Sequence, residues 1–373
     1  NETNSYLEDL LPPAREDMGL GLPQLCVQAS HLSLAPVGYY GHCATDQGTP
    51  ARTHRRPCIS KKYVSAVHSA LVDVADCFGY DAQLAFAKFN LESALHINAV
   101  GAALDVGVGQ LTKSAIDEVN LNALDAARRR AARSPLQSCQ RILPYISPHG
   151  SDKSVRCGFM NLPENPTRNL IYSILLIQQT RKSIDRFWNR LSIRLPATVD
   201  SDRFKQRLAM LAYNAGAAGT VATVKAYLDQ VGSRVNERYL HFESRERFSL
   251  PIFIEQTFPV EQGKEFTRKR IARYVRFVIQ AARRVEGLAG VACFAPGTFP
   301  PLEKEPVTFT EPSYDPDQMR DHVINHMEAL IDSELKGSCS EKRRKFKKEF
   351  LPAGSRLADL PARLQGRYRT LCQ

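Results

Sequence analysis

The chain has 373 residues, 43% hydrophobic and 24% charged, which are the proportions of a folded globular protein and exclude wholesale disorder. Its longest strongly apolar stretch, Leu170 to Ile177, is too short to span a bilayer. The formal charge of +11 favours anionic partners: nucleic acid, acidic lipid, or the carboxylates and phosphates of a cell wall.

Residues 1 to about 62 are rich in Pro and Gly (Pro12, Pro13, Gly19, Gly21, Pro23, Gly38, Gly41, Gly48, Pro50, Pro57) and predict an irregular lead-in. With no Met at Asn1 and no apolar leader, a mature or trimmed chain is expected. From Val64 the pattern changes. Val64, Val67, Leu71, Val74 and Phe78 recur at three- and four-residue steps, an amphipathic helix that Gly79 ends. A second helix is predicted from Ala82 to about Leu95, with Leu84, Phe86, Phe89 and Leu91 among its apolar residues. Ser134 to Pro166, rich in Pro, Ser and Gly, reads as an insertion between helices. A long helix over Asn169–Leu191 follows, its apolar face marked by Leu170, Ile174, Ile177, Ile184 and Phe187. Further helices are predicted at 202–213, 218–231, 267–287 and near 317–335; short segments such as 249–258 are candidates for strands, with β content minor. Pro296, Pro300, Pro301, Pro306, Pro312 and Pro316 mark a linker-like stretch before the last of these helices.

Nine cysteines stand at 26, 43, 58, 77, 139, 157, 293, 339 and 372, none in a C-x-x-C pair, which argues against a zinc ribbon. Their wide spacing suits disulfides and an oxidising compartment. Four precede residue 80 and are expected to staple the N-terminal segment; Cys139 and Cys157 are expected to close the insertion. Lys336–Gln373 carries eleven Lys or Arg against Glu341, Glu349 and Asp359, a net of about +8. Such a run is either a solvated helical face or a patch that meets a wall or membrane.

The stretch most suggestive of chemistry is Phe89-Asn-Leu-Glu92-Ser93-Ala-Leu-His-Ile-Asn98-Ala99-Val100, continuing to Gly107-Val108-Gly109-Gln110. A carboxyl at the end of an apolar helix is partly desolvated, holds a proton more readily, and can deliver it to a leaving oxygen. A Gly-x-Gly-Gln turn admits close backbone approach, and a Gln amide both donates to and accepts from a sugar. Alone, these residues are equally a helix end and a loop.

The order and spacing of Glu-Ser, Asn-Ala-Val and Gly-x-x-Gln resemble the first motif of the soluble lytic transglycosylase family, which shares its fold with goose-type lysozymes. Ala212-Tyr213-Asn214-Ala215-Gly216 is similar to the family's second motif, and Glu265 to Tyr274-Val275 to a looser third. The helix beginning Asn169-Leu-Ile-Tyr resembles the one preceding the second motif. The resemblance spans roughly residues 64–290. Gly109 stands where the family has Met, and Leu104-Asp105 where it has Gly-Ala.

The resemblance implies a mainly α, lysozyme-like domain with a cleft between helical lobes. It also implies cleavage of the β-1,4 bond between N-acetylmuramic acid and N-acetylglucosamine in peptidoglycan, with no cofactor or metal. Glu92 matches the single acid/base, Gln110 a sugar-contacting amide, Tyr213 and Asn214 cleft residues that position the glycan, and Tyr274 a tyrosine near the catalytic carboxyl. Ser93 either caps local backbone or touches substrate. The expected nucleophile is the muramoyl C6 hydroxyl, giving a 1,6-anhydro product, with the N-acetyl group assisting. The alternative is hydrolysis by water, for which Asp105 is a possible second carboxylate. Some relatives in predatory bacteria attack deacetylated prey walls, so specificity for a deacetylated glycan is a further alternative.

The expected organisation is a Cys-rich N-terminal extension (1–62), a catalytic domain (63–290, insertion near 134–166), and a Pro-rich linker with a basic helical extension (291–373). The expected protein is a secreted or periplasmic monomer whose partners are peptidoglycan strands and an anionic wall or membrane surface. Arg128, Arg129, Arg130 and Arg133 lack a stacking platform, so nucleic acid is not expected. His31, His42, His54 and His68 lack metal spacing and are expected in loops or on the surface.

Overall fold

The structure is a computed structural model that describes residues 26–28, 40–43, 50–53, 58–93, 99–100, 105, 107–149, 165–232, 235, 237–261, 263–286 and 313–373. It is mainly helical. Five short strands are described: β1 (Cys26–Gln28), β2 (Tyr40–Cys43), β3 (Pro50–Thr53), β4 (Cys58–Ser60) and β5 (Ala99–Val100). They form an antiparallel β1–β4 pair and a three-stranded β3-β2-β5 sheet, in which His42 faces Ala99. The remainder of the lead-in, Cys157, Cys293 and the Pro-rich stretch lie outside the described residues, as do the side chains of Cys26, Cys43, Cys58 and His42.

The helices, in chain order, are α1 (Lys61–Phe78), α2 (Ala82–Ser93), α3 (Lys113–Asn122), α4 (Leu124–Arg133), α5 (Gln137–Ile142), α6 (Asn165–Arg190), α7 (Ser201–Ala215), α8 (Ala217–Val231), α9 (Glu237–Leu240), α10 (Leu250–Thr257), α11 (Glu265–Glu286), α12 (Pro316–Glu334), α13 (Cys339–Phe350) and α14 (Ala362–Thr370). They fall into two compact units, 1–176 with 277–299 and 177–276 with 300–373, and the boundary passes through α6 and α11.

In the first unit, α1 stops because Gly79 adopts φ +66. Gly79 N then donates to Asp76 O and Tyr80 N to Ala75 O, the paired bonds that satisfy orphan carbonyls at a helix end. Asp81 accepts from Leu84 N at 3.0 Å and starts α2. The Ser134–Pro166 stretch is described as far as residue 149 and again from residue 165. It opens with α5, which packs on α1. Arg141 grips Asp73 through two bonds of 2.8 and 2.5 Å, and Ser138 donates to Asp76. Cys139 bonds to Cys77, so it does not pair with Cys157, and Cys77 is not a staple of the lead-in. His68 is buried on α1 with its ring edge-on to Phe86, contrary to a surface position, and burial lowers its pKa.

The second unit is built around α8, whose small residues Ala217, Ala218, Gly219, Ala222 and Ala226 are buried and let α7, α10, α12 and α13 approach. A Cβ on Gly219 would stand 3.0 Å from the Phe258 ring. Val323, Met327 and Leu330 of α12 fill the facing side; each fully buried side chain of this size contributes about 1.5–3 kcal/mol. Residues 249–258 form helix α10 rather than a strand. Pro251 suits its first turn, and Leu250, Phe253, Ile254 and Thr257 bury one face at helical spacing.

The basic C-terminal run is part of this unit. α13 buries Phe346, Glu349 and Phe350, with Phe350 against Phe187 of α6, and exposes Arg343, Arg344, Lys345, Lys347 and Lys348. Glu349 accepts from Ser183 at 2.9 Å and from Arg186 at 2.6 Å. Cys339 and Cys372 are bonded to each other and tie α13 to the end of α14. No helix among the described residues is long and apolar enough to cross a membrane.

Candidate active site

Glu92 occupies the last turn of α2, a helix enclosed on nearly every side: Gln83, Leu84, Ala85, Phe86, Ala87, Lys88, Phe89 and Ser93 are all buried. The Glu92 side chain retains 19% exposure, and its Oε1 accepts from Lys88 Nζ at 2.7 Å. Lys88 has no exposure at all. Burial pushes its ammonium below the usual lysine range, and the charge and hydrogen bond of Glu92 oppose that shift.

Ser93 is fully buried, and its hydroxyl lies 2.9 Å from Val108 O and 3.1 Å from Phe89 O. Of its two expected roles, this is the geometry of the backbone cap. It ties the end of α2 to the Gly107–Gln110 turn. Gly107 has φ +75 and Gln110 φ +48, and Gln110 Nε2 donates to Gly107 O at 2.8 Å, which stiffens the turn. Its other support comes from α6: Asn169 Oδ1 accepts from Gly109 N at 2.9 Å.

These contacts explain the departure at Gly109. A Cβ there would overlap the Ser173 hydroxyl of α6, and one on Gly107 would lie 2.5 Å from the Asn169 side chain. Ser173 is itself committed to Asn169 O at 2.7 Å. The turn is glycine because α6 is packed onto it. Gly109→Ala is therefore expected to cost about 1–3 kcal/mol through overpacking, read by thermal unfolding. Adding Ser173→Gly should restore part of the loss; a Gly109→Ala chain as stable as wild type would contradict this packing.

Asp105 is half-buried in the same unit, while Asn98 lies outside the described residues. Glu92, Ser93, Asp105 and Gln110 thus belong to the first unit; Tyr213, Asn214 and Tyr274 belong to the second.

In the second unit, the Ala-Tyr-Asn-Ala-Gly segment is the corner where α7 ends and α8 begins. Gly216 turns it with φ +81, and a Cβ there would stand 3.0 Å from Glu349 O. Asn214 O accepts from Ala353 N at 2.7 Å. The chain after α13 therefore backs this corner. Tyr213 and Asn214 are half-buried, and Asn214 Nδ2 is buried with no acceptor. Tyr274 is half-buried on α11. Among the described residues, no group of three or more His, Cys, Asp or Glu is placed to hold a metal ion.

Sequence reading missed Lys88, and it missed the contact roles of Asn169 and Ser173. The first had a signal, since Lys88 and Glu92 are four apart and share a helix face. Comparison of the chain with protein-family models, with curated proteins and with solved structures finds no match.

Proposed function

We propose that this protein is a peptidoglycan lytic transglycosylase in which Glu92 is the general acid and then the base. The observation that carries the reading is local. A half-buried carboxyl ends a buried helix, and Ser93 fastens that helix end to a rigid turn bearing Gln110. The motif order that resembles the lytic transglycosylases assigns these parts to one reaction. Glu92 delivers its proton to the glycosidic oxygen as the C1–O bond breaks, and the N-acetyl oxygen supports the anomeric carbon. The muramoyl C6 hydroxyl then bonds to C1 and returns its proton to Glu92, closing a 1,6-anhydro ring. Tyr213, Asn214 and Tyr274 are assigned to binding the glycan. The Asn214 amide nitrogen, buried without an acceptor, suits a sugar hydroxyl or acetamido oxygen.

The test is mass spectrometry of soluble products released from purified sacculi, both acetylated and deacetylated. Anhydro-muramoyl ends are expected. Reducing ends, heavier by one water, would replace this reading with hydrolysis and direct attention to Asp105; products only from deacetylated walls would define the substrate. No product from either would sink the assignment.

The Cys77–Cys139 and Cys339–Cys372 disulfides support a site of action outside the reducing cytosol. The exposed cations of α13 are assigned to holding the enzyme on an anionic wall. Truncation is the wrong probe, because residues 349–353 back the Asn214 corner. Arg344, Lys345 and Lys347 are exposed, and reversing all three to Glu should weaken sacculus binding about tenfold or more at low salt. The difference should fade as the Debye length shrinks, and cleavage of a short soluble glycan should not change. Unaltered low-salt pelleting with sacculi would reduce the run to a solvated face.

A further inference from the structure

A general acid must carry a proton when substrate arrives, yet Glu92 is bonded to an amine that is itself wholly buried. Taking an ammonium out of water is costly unless it is well paired, and replacing such a group by an apolar side chain is often neutral or stabilising. The surroundings are apolar. α2 places Leu84, Phe86 and Phe89 in the core, and α1, packed against it, adds Leu71, Val74 and Phe78. Several described titratable groups of the neighbouring elements have engagements of their own. His68 lies against Phe86, Asp73 holds Arg141, Asp76 accepts from Ser138, and Asp81 caps α2. Beyond them in this unit, Asp105 lies on the loop that follows α2, and Glu118 accepts from Asn122. The pairing recorded for the Lys88 amine is with Glu92, one helical turn on.

We propose that Lys88 is a positioning residue that stores the proton Glu92 uses as general acid. This rests on the function proposed above. In the resting pair the proton is on nitrogen, and the ammonium donates to the carboxylate. When bound glycan excludes water, the neutral pair gains, because two opposite charges disappear together. The Lys88 N–H bond breaks as the Glu92 O–H bond forms, leaving an amine beside a carboxylic acid. Glu92 passes that proton to the glycosidic oxygen as the C–O bond breaks. In the second half, the attacking hydroxyl gives its proton to the Glu92 carboxylate, and transfer back to the amine restores the ion pair. Protons balance over the cycle. The buried charge is thus a stability cost retained for catalysis, a familiar exchange at active sites. Burial loosens the Lys88 ammonium's hold on its proton while the Glu92 charge and hydrogen bond oppose that shift, which keeps the proton beside the oxygen that uses it.

The test uses the full chain with Lys88→Met, Lys88→Gln, Glu92→Gln and the double variant Lys88→Met/Glu92→Gln. Thermal unfolding and kinetics on a soluble glycan chain are measured for each. Lys88→Met is expected to unfold at or above the wild-type temperature. Its kcat should fall about tenfold or more, with KM within a few-fold and the alkaline limb of kcat moved toward acid pH. Lys88→Gln should lose kcat similarly, since it keeps a donor but has no transferable proton. Glu92→Gln should lower the unfolding temperature by removing the negative charge that the buried ammonium donates to, and adding Lys88→Met should recover it. Wild-type kcat with an unmoved pH profile in Lys88→Met, or rescue of both by Lys88→Gln, would overturn the proposal. So would additive unfolding shifts in the double variant. If the wild-type chain cleaves no glycan, the proposed function fails and the proton store with it, while the unfolding cycle still reports whether the two charges are coupled.

Discussion

Glu92→Gln is expected to abolish wall lysis, with a loss on the order of 10²-fold or more in kcat. The amide nearly matches the carboxyl in shape, so the turn held by Ser93 and Asn169 keeps its geometry. What is lost is the transferable proton. The variant also removes the negative partner of Lys88, so lower stability is expected beside lower activity. Inactivity alone is therefore ambiguous, and the control is the double variant with Lys88→Met, which removes both charges. A chain that is stable, binds sacculi and releases nothing locates the defect in the chemistry. Lysis within a few-fold of wild type would remove Glu92 from the reaction, and with it the ordering of the three motifs as evidence of function.

Much of the helical frame was legible because it is local. The period of Leu71, Val74 and Phe78 and the glycine after them give α1 and its end. Asp200, whose carboxylate accepts from Asp202 N and Arg203 N, marks the start of α7. The long helix over 169–191 begins four residues earlier, at Asn165. The apolar run at 249–258 misled for a physical reason. Burial on one face of an eight-residue helix leaves too few turns to separate a period of 3.6 from a period of 2.

The site was half legible. Motif order brought Glu92, Ser93 and Gln110 forward, and the structure joins Ser93 and Gln110 to one turn. The glycines of that turn were visible, but their cause, the approach of Asn169 and Ser173, is a contact across sixty residues of chain. Lys88 was passed over because a lysine four residues before a glutamate usually makes a solvated helix pair. Only the enclosure of α2 on nearly every side turns it into a buried charge. The same holds for the basic C-terminus: its charges are plain in the sequence, while Phe346 and Phe350, which seat it, are not marked by any periodic run.

Removing the Cys77–Cys139 bond should cause a large loss of stability in the first unit. The bond closes a span of 62 residues, and loop-closure entropy alone puts its contribution at about 4 kcal/mol. Both sulfurs are buried between α1 and α5, beside the Asp73–Arg141 pair. A reductant cannot reach them until the unit opens. Cys339 and Cys372 are exposed near the chain end, where a mild thiol attacks the native state directly. Two steps are therefore expected on titration with reductant, followed by alkylation and peptide mapping. Cys339 and Cys372 should label first, with no change in helix content; Cys77 and Cys139 should label only as the first unit unfolds. Cys77→Ser with Cys139→Ser should lower the urea midpoint by an amount matching the missing loop constraint, and reductant should then have no further effect on that unit. Simultaneous labelling of all four would mean that α1 and α5 do not protect the bond. Native protein with Cys77 and Cys139 already free would remove the physical ground for an oxidising compartment, and a wall enzyme acting outside the cytosol would lose its structural support.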